Sequence, residues 1–403
     1  MVDLEGNSAS SRTSPALRTF ERSGGKGYPG DRTVIVTPGP VIRAADLGTP
    51  SPSAPESFLP QGRQRFYRNG RSALAAALSL KGIGEGARVL VPAYICQSVV
   101  TAIRSVGSEV DFYPISSSLE PDLGAIERLL SSSTSSLLAV HYFGFPMHGF
   151  DPTRKLCREK DVVLIEDCAH ALFSRTNDRL LGSDGDAAIF SFRKSLPVPE
   201  GGALVLRDGP TESGARLPVR EIPALLREVA FAAEDLIGAS LRFRMVARPG
   251  VLERLYDADD RAQPHRDEPI GRLSKRMFFR QRPAEIAAAR RRNFDHVGAA
   301  LQDAGFSLLI GAVAPPGSCP VGLPVLVPER DRVRASLYRR GVGTRTFWDR
   351  LPKELPLDRF PGSTYLRDRI LVLPVHHTLD EKRIRMMIDV LVDVRDALVG
   401  DHP

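Results

Sequence analysis

The stretch 186–206, "DAAIFSFRKSLPVPEGGALVL", places a lysine between two apolar runs that are typical of buried strands. The first run, "DAAIFSF", ends two residues before Lys194, and the second, "GGALVL", starts at the paired glycines 201 and 202. Lysine is rarely buried without a partner. Lys194 is therefore either a solvated turn residue or a nucleophilic amine at the end of a strand.

Short apolar runs of the same kind recur between residues 66 and 206. They include "ARVLVPAY", "EVDFYPI", "SLLAVHYFG" and "DVVLIED", and helical segments such as "SALAAALSLKGIG" lie between some of them. Buried strands alternating with helices predict an α/β domain with a mostly parallel sheet covered on both faces. Ligands of such sheets bind beyond the carboxyl ends of the strands. The segments "HYFG", "EDCAH" and "SFRK" fall there.

The chain divides into three predicted parts. Residues 1–57 are rich in Ser, Pro, Gly and Arg and predict a mostly mobile arm, although the apolar island "RTVIVTPGPVI" could pair with a sheet edge or lie on a partner subunit. Residues 58–280 form the large domain, in which the amphipathic stretch 222–246 is predicted to pack as a helix. Residues 281–403 predict a smaller α+β domain with helices at 283–304, 329–340 and 380–398.

Composition and charge exclude several function classes. The formal net charge is +7 and no basic stripe with interleaved aromatics accompanies it, which argues against nucleic-acid binding. The segment "ARRRNF" (289–294) continues a helical pattern and predicts a solvated helix face. Four scattered cysteines without zinc spacing predict no disulfide framework, no structural metal and a cytoplasmic location. No apolar run reaches the ~18 residues that span a membrane, and the N-terminus lacks a secretory pattern.

Two further segments carry candidate chemistry. In "VVLIEDCAH" a predicted strand ends at Glu166 and Asp167, and His170 follows one turn later. Asp167 either caps a following helix or holds a ring nitrogen protonated, which is the electronic requirement of pyridoxal phosphate (PLP). In "YRNGRSALAAAL" a Gly-Arg-Ser turn opens a helix, whose N-terminal N–H groups suit a phosphate.

The sequence "SFRK" also has the Ser-x-x-Lys spacing of penicillin-binding acylases. Those enzymes need a Lys-Thr-Gly strand downstream, which this chain lacks. Its Tyr-x-Asn, "YRN" at 67–69, precedes the serine instead of following it. This alternative is therefore disfavoured.

Taken in order, the motifs resemble the DegT–DnrJ–StrS family of PLP-dependent sugar aminotransferases. The resemblance is carried by Gly-x-Ser-Ala-Leu, "VLVPAY", "VHYFGFP", "LIEDCAHAL", "GSDGDAAIFSF", the lysine and "EGGALV", and later by "LSKRM" and "LPVHH". It implies the fold type I, aspartate-aminotransferase-like architecture. It also implies PLP as cofactor, with Lys194 as the Schiff-base lysine and proton shuttle, and Asp167 as the partner of the pyridinium nitrogen.

The resemblance implies further cofactor contacts, and the sequence departs from the family at some of them. Implied contacts are Gly70, Arg71, Ser72, Tyr94, Cys96, His170, Ser191 and Ser274. His170 stands where the family usually has Gln, and Cys96 replaces the ring-stacking aromatic, with Tyr94 two residues earlier. Ser274 aligns with an asparagine that reaches the cofactor phosphate of the partner subunit, and the stretch before Lys194 is two residues shorter than usual.

The implied activity is amino transfer from an amino acid, glutamate in the family's pattern, to a keto-sugar carried on a nucleotide. The implied assembly is a homodimer with active sites at the interface, without nucleic-acid or membrane partners. Two alternatives stay open. One is another PLP reaction, such as dehydration or transamination of a non-sugar ketone in secondary metabolism. The other is a non-enzymatic regulator that retains the fold.

Overall fold

The computed structural model describes residues 36–41, 58–131, 133–208 and 268–399. Most of the predicted N-terminal arm and the amphipathic stretch 222–246 lie outside these residues. The description below therefore concerns the strands and helices of the four described ranges.

A seven-stranded sheet forms the centre of the large domain, in the order β1-β9-β8-β5-β4-β2-β3. The strands are β1 (Arg63–Tyr67), β2 (Arg88–Pro92), β3 (Glu109–Tyr113), β4 (Thr134–Val140), β5 (Val163–Asp167), β8 (Ala187–Ser191) and β9 (Gly202–Leu206). From β8 to β3 every pair is parallel, whereas β9 is antiparallel to both β8 and β1. A short ribbon of β6 (Arg175–Thr176) and β7 (Arg179–Leu180) precedes β8. The predicted mostly parallel sheet is confirmed: of these seven strands, β9 alone runs opposite to the others.

Helices connect the parallel strands. They are α1 (Gly70–Leu80), α2 (Gln97–Arg104), α3 (Leu123–Leu129) and α4 (Phe150–Glu159). Helix α1 begins where Oδ1 of Asn69 accepts the N–H of Ser72 at 2.9 Å, and Asp122 caps α3 in the same way at 2.8 Å. The alanine and leucine side chains of α1 from Ala73 to Leu78 are all buried, so this helix is fixed firmly against the sheet.

The C-terminal part contains a three-stranded antiparallel sheet of β10 (Ser307–Leu308), β11 (Leu323–Leu326) and β12 (Ile370–Leu373). Helix α5 (Arg272–Phe278) precedes this part and packs on the large domain through Met277 and Phe278. The helices of the C-terminal part are α6 (Pro283–Asp303), α7 (Arg330–Arg339), α8 (Pro361–Arg369) and α9 (Glu381–Val399). The predicted helices at 283–304, 329–340 and 380–398 are confirmed within one residue at each end. Together these elements are the α+β arrangement that the sequence predicts.

One prediction for helix α6 is wrong. Arg290, the first arginine of "ARRRNF", is fully buried instead of solvated. Its guanidinium donates to the backbone oxygens of Ser195 at 2.6 Å and Pro320 at 2.8 Å, with a longer contact to Val321. Burial lowers the pKa of Arg290 to about 10. Backbone oxygens thus solvate this charge in place of water, a possibility that helical periodicity does not reveal.

Part of the predicted arm is packed against the domain. Within residues 36–41, Val36 is fully buried and forms a parallel bridge with Val342 of the C-terminal part. The apolar island therefore pairs with its own chain here. In the described ranges no helix is both long and apolar enough to cross a membrane, and all four cysteines are free thiols.

Candidate active site

The carboxyl ends of neighbouring strands bring the predicted site residues together. Asp167 is the last residue of β5, Ser191 is the last residue of β8, and these parallel strands pair with Asp167 opposite Ile189. Lys194 follows at the end of a 3₁₀ turn, Phe192–Lys194. This edge is where parallel α/β sheets bind ligands, so the topology itself makes it the candidate site.

Lys194 is a half-buried amine surrounded by charges of both signs. Burial lowers its pKa below that of an ordinary lysine; Cys96 and Asp167 oppose this effect, and Arg345 and Arg193 add to it. Its Nζ lies 5.9 Å from the ring centroid of Phe347. A lysine with a lowered pKa has a larger neutral, nucleophilic fraction at neutral pH. The interpretation of Lys194 as a nucleophile fits this setting better than a solvated turn residue does.

Asp167 is a buried carboxylate whose charge acts on this lysine. Only 6% of the residue is exposed, and its Oδ1 accepts the N–H of Ala169 at 2.9 Å. Residues 168–174 form turns, so Asp167 does not cap a helix and that alternative is wrong. Burial raises the pKa of Asp167, while the charge of Lys194 is the strongest opposing effect.

His170 is buried and lies among aromatic rings. Its ring centroid is 4.2 Å from Phe347 and 4.5 Å from Trp348. Neither ring nitrogen has a hydrogen-bond partner among the residues that the structure describes. Burial, with the charges of Lys194 and Arg345, lowers its pKa well below the ordinary value. His170 is therefore neutral at pH 7. Its ring presents one unpaired donor and one unpaired acceptor, which suits a site that binds a polar ligand.

Cys96 and Tyr94 occupy different places at this edge. Cys96 is partly exposed at the start of α2, where its Sγ lies 3.0 Å from Oγ of Ser98. Tyr94 is fully buried, and its hydroxyl donates to the backbone oxygen of Phe347 at 3.2 Å. Cys96 is near enough for its charge to affect Lys194. Tyr94 instead packs its ring against that of Trp348.

Trp348 lies at the centre of a group of aromatic rings, called the aromatic group below. Besides His170, its ring contacts Tyr94 at 5.2 Å, Tyr142 at 5.1 Å and Phe143 at 5.4 Å between centroids. Trp348 and Phe347 come from the C-terminal part, more than 150 residues after Lys194. These aromatics and Arg345 were missed in the sequence; the glycine-flanked "GVGTRTFW" is a cation followed by aromatics, but it has no periodicity that would assign it to the site.

A second group of predicted residues lies at the N-terminus of α1. A Cβ built on Gly70 would lie 3.4 Å from Cβ of Ser191, which places the Gly-Arg-Ser turn beside the end of β8. Oγ of Ser72 is buried, and no protein atom within the described ranges hydrogen-bonds to it. Arg71 is half-buried at the same turn. The positive end of a helix dipole and an unpaired hydroxyl suit an anion such as a phosphate.

Gly202 lies where β9, the strand after the lysine turn, meets the start of α1. A Cβ at Gly202 would lie 2.4 Å from the backbone carbon of Asn69 and 2.7 Å from the nitrogen of Gly70. The strand after the lysine turn thus contacts the backbone at the start of α1. Gly202, the second glycine of "EGG", is needed because this approach leaves no room for a side chain.

The other acidic residue of "VLIED" is structural. Glu166 is buried and accepts backbone N–H groups from Gly182, Asp184 and Gly185. It also accepts from Nε2 of His141 at 2.9 Å, since Nδ1 of His141 accepts the N–H of Met147. Although Cys168 completes a His-Cys-Glu group within 4.8 Å, His141 and Glu166 already bond to each other and to the backbone, which argues against a role as metal ligands.

Ser274 stays a prediction. It is buried in α5, whose Phe278 ring stacks at 4.0 Å on Phe192 of the lysine turn. Its expected contact is the cofactor phosphate of a second subunit, which a single chain does not test.

Residues 67–242 match the model of the DegT/DnrJ/EryC1/StrS aminotransferase family. This segment contains Lys194, Asp167, His170 and the Gly-Arg-Ser turn. The resemblance carried by the motifs is thereby confirmed.

The chain is similar to two enzymes and to one solved aminotransferase structure. GDP-perosamine synthase of Vibrio cholerae is 34% identical over 151 residues, which is 37% of this chain but only 41% of the relative. dTDP-4-dehydro-2,3,6-trideoxy-D-glucose 4-aminotransferase of Saccharopolyspora spinosa is 27% identical over 348 residues, 80% of this chain and 82% of the relative. The aminotransferase TlmJ of Streptoalloteichus hindustanus superposes with a TM-score of 0.61 at 23% identity, covering 84% of this chain and 87% of its own.

The structural match extends well beyond the DegT/DnrJ/EryC1/StrS segment. Because it covers both the seven-stranded sheet and the C-terminal part, the predicted fold type I architecture is confirmed. The match to GDP-perosamine synthase, in contrast, spans about two fifths of that enzyme.

Proposed function

We propose that the protein is a PLP-dependent aminotransferase that transfers an amino group from an amino acid to a keto-sugar carried on a nucleotide. The observation that carries the proposal is that Lys194 and the buried carboxylate of Asp167 follow neighbouring strands at the carboxyl edge of the sheet, close enough for the charge of each to shift the pKa of the other. The family of residues 67–242 and the names of the two relatives support the reaction and the substrate class. Glutamate is the donor that we expect.

The residues present fit PLP. Three independent features support the fit: the two unpaired nitrogens of His170, the unpaired hydroxyl of Ser72 at a helix start, and a lysine whose pKa is lowered. When bound, PLP supplies a protonated ring that withdraws electrons from the α-carbon of the substrate. Asp167 would hold the proton on the ring nitrogen, and Gly70, Ser72 and Ser191 would bind the phosphate.

His170 and Lys194 would divide the remaining work. His170 is neutral and can donate one hydrogen bond, which suits the ring hydroxyl without adding a second cation beside Lys194. Lys194 would anchor the cofactor covalently and, once released, carry a proton to and from the α-carbon of the substrate. Its lowered pKa keeps part of its population in the neutral form that accepts this proton.

The aromatic group would exclude water from one side of the site. Phe347 contacts both Lys194 and His170, and Trp348 packs behind it. The cationic side chains Arg71 and Arg345 at the same edge favour anionic substrates such as an amino acid or a nucleotide diphosphate. A homodimer with shared sites and a cytoplasmic location remain parts of the proposal.

The central experiment is reduction with borohydride after incubation with PLP. We expect a pyridoxyl group on the peptide that contains Lys194, and loss of both the label and turnover in Lys194→Ala. Lys275→Ala is the matched control, because burial also lowers the pKa of Lys275 while its Nζ lies over Phe66, 4.8 Å from the ring centroid. A label on Lys275, or full turnover without Lys194, would refute the proposal.

The substrate class is tested with the PLP-loaded protein. We expect glutamate to convert the cofactor to its amino form, detected by loss of visible absorbance, and a nucleotide-linked keto-sugar to restore it. Restoration only by a non-sugar ketone would identify the alternative transaminase. Release of water without amino transfer would identify a dehydratase, and no spectral change with any pair of substrates would favour the non-enzymatic regulator.

A further inference from the structure

The N-terminal segment 36–41 is attached to the C-terminal part by backbone hydrogen bonds. The N–H of Val36 donates to the oxygen of Gly341 at 2.9 Å, and the N–H of Gly343 donates to the oxygen of Val36 at 2.8 Å. A Cβ on Gly343 would lie 2.7 Å from Cδ of Pro38. The segment therefore packs closely along residues 341–343, and the buried Val36 fixes its position.

A buried histidine adds a second attachment. Nε2 of His376, in the "LPVHH" motif, lies 3.0 Å from the backbone oxygen of Thr37. Since a carbonyl oxygen only accepts, Nε2 carries the proton, and Nδ1 accepts from the hydroxyl of Thr378 at 2.8 Å. Burial lowers the pKa of His376 well below its ordinary value. The ring is therefore neutral at pH 7, and Nε2–H donates to the oxygen of Thr37.

The segment then reaches the active site through one arginine. A Cβ built on Gly39 would lie 2.0 Å from Nη2 of Arg345. The guanidinium of Arg345 thus lies directly against the backbone of Gly39. Its other terminal nitrogen, Nη1, donates to the backbone oxygen of Lys194 at 3.1 Å. The backbone of Arg345 is paired with Val372 in both directions, at 3.0 and 2.8 Å, so the side chain projects from a fixed point.

We propose that the N-terminal segment 36–41 is a working part of the active site, in which Gly39 holds the guanidinium of Arg345 against the lysine turn. Arg345 is a positioning residue: it bonds to the backbone of Lys194 and contributes a positive charge beside its amine. The inference rests on the proposed function, because the experiment follows the pKa of the Lys194 nitrogen when this nitrogen is bonded to PLP.

The electrostatic consequence has a definite sign. The groups whose charges act on Lys194 are Cys96 and Asp167, which raise its pKa, and Arg345 and Arg193, which lower it; the neighbouring His170 is neutral. A methyl group at position 39 would displace only the far end of a flexible side chain. With the guanidinium farther away, the cationic nitrogen of Lys194 becomes more stable and its pKa rises.

The experiment titrates the visible absorbance of the PLP-loaded protein against pH. We expect Gly39→Ala and Arg345→Met each to shift the midpoint to higher pH, and Gly39→Ala to add nothing in the Arg345→Met background, since the glycine acts through the arginine. Gly84→Ala is the matched control. Its Cβ would make only an ordinary contact of 3.5 Å with the oxygen of Val106, and Gly84 precedes β2, away from the carboxyl edge of the sheet. It should leave the midpoint unchanged.

The outcomes separate the two proposals. A wild-type protein without a pyridoxyl label on Lys194 would overturn both. A labelled wild-type protein whose midpoint is unaffected by Gly39→Ala would overturn only this inference, as would an equal shift in the presence and absence of Arg345. Melting temperatures measured in parallel show whether Gly39→Ala remains folded; if it does not, Arg345→Met with its midpoint unchanged would still refute the inference.

Discussion

The imidazole of His170 and the indole of Trp348 lie with their centroids 4.5 Å apart and their planes 33° from parallel. One ring comes from the turn after β5, the other from the C-terminal part. The contact buries His170 and leaves its nitrogens without partners within the described residues. It therefore ties the charge state of the site to the packing of a segment far away in sequence.

His170 should make the cofactor-free protein sensitive to acid. Its pKa in the folded state lies well below 6.5, so as the pH falls through 6.5 the unfolded state takes up a proton first and stability decreases. Between pH 7.5 and 5.5 this costs about 1.4 kcal/mol for one histidine. The unfolding free energy of His170→Gln should fall less than that of the wild-type protein over the same pH interval, by this amount. Urea unfolding followed through the emission of Trp348, the single tryptophan, measures both. Equal pH dependence of both proteins would contradict a buried neutral His170.

Asp167→Asn should separate cofactor binding from catalysis. We expect the variant to retain PLP on Lys194 but to lose activity on the order of 100-fold or more, because an uncharged amide does not hold the ring nitrogen protonated. In the cofactor-free protein the charge of Asp167 raises the pKa of Lys194. The pH midpoint for labelling Lys194 with an amine reagent should therefore move to lower pH. An active variant with an unmoved midpoint would show that Asp167 is only structural.

Two N-terminal deletions should differ sharply in stability. Removing residues 1–35 should leave the melting transition largely intact, because their composition offers little apolar surface to bury. Removing residues 1–41 also takes away the buried Val36 and its two backbone hydrogen bonds. We expect that deletion to cost on the order of 3 kcal/mol. Differential scanning calorimetry of the two proteins makes the comparison, and similar transitions would mean that the segment contributes nothing.

Arg290 should be more important for stability than its neighbour on the same helix. Arg290→Met leaves the oxygens of Ser195 and Pro320 buried without a donor, which should cost about 2–4 kcal/mol of unfolding free energy. Arg291→Met is the control; Arg291 is half-buried and donates at 3.0 Å to the oxygen of Ser318, so about 1 kcal/mol or less is expected. Urea unfolding that gives the same loss for both variants would contradict the assigned role of Arg290.

Much of the fold could be predicted because its strands are continuous apolar runs. Strand β1, "RQRFY", and helix α2, "QSVVTAIR", were missed: β1 is a partly exposed edge strand with two arginines, and α2 starts after Cys96 without a side-chain cap. Strand β1 lacks an uninterrupted apolar run, and α2 lacks a capping residue that would mark its start.

The local part of the site was predictable and the distant part was not. Asp167, Lys194 and the Gly-Arg-Ser turn lie at strand ends and a helix start, positions that the α/β pattern itself defines. Arg345 forms an isolated bridge with Val372 of β12, and Trp348 lies in the turn that follows. No periodicity relates these positions to those of β5 or β8. Arg290 shows the same limit, since the oxygens that bind its charge come from residues 195 and 320. Long-range contacts of this kind depend on tertiary packing alone.

The contact of Gly202 with the backbone of Asn69 and Gly70 also restricts how this gene can vary. Every missense change from a glycine codon introduces a Cβ, and none of the atoms that this Cβ would meet at 2.4 to 2.7 Å can rotate away, because all are backbone. The codon at position 202 therefore has only synonymous neighbours that preserve the site. In a saturation library selected for function, that position should accept no other amino acid.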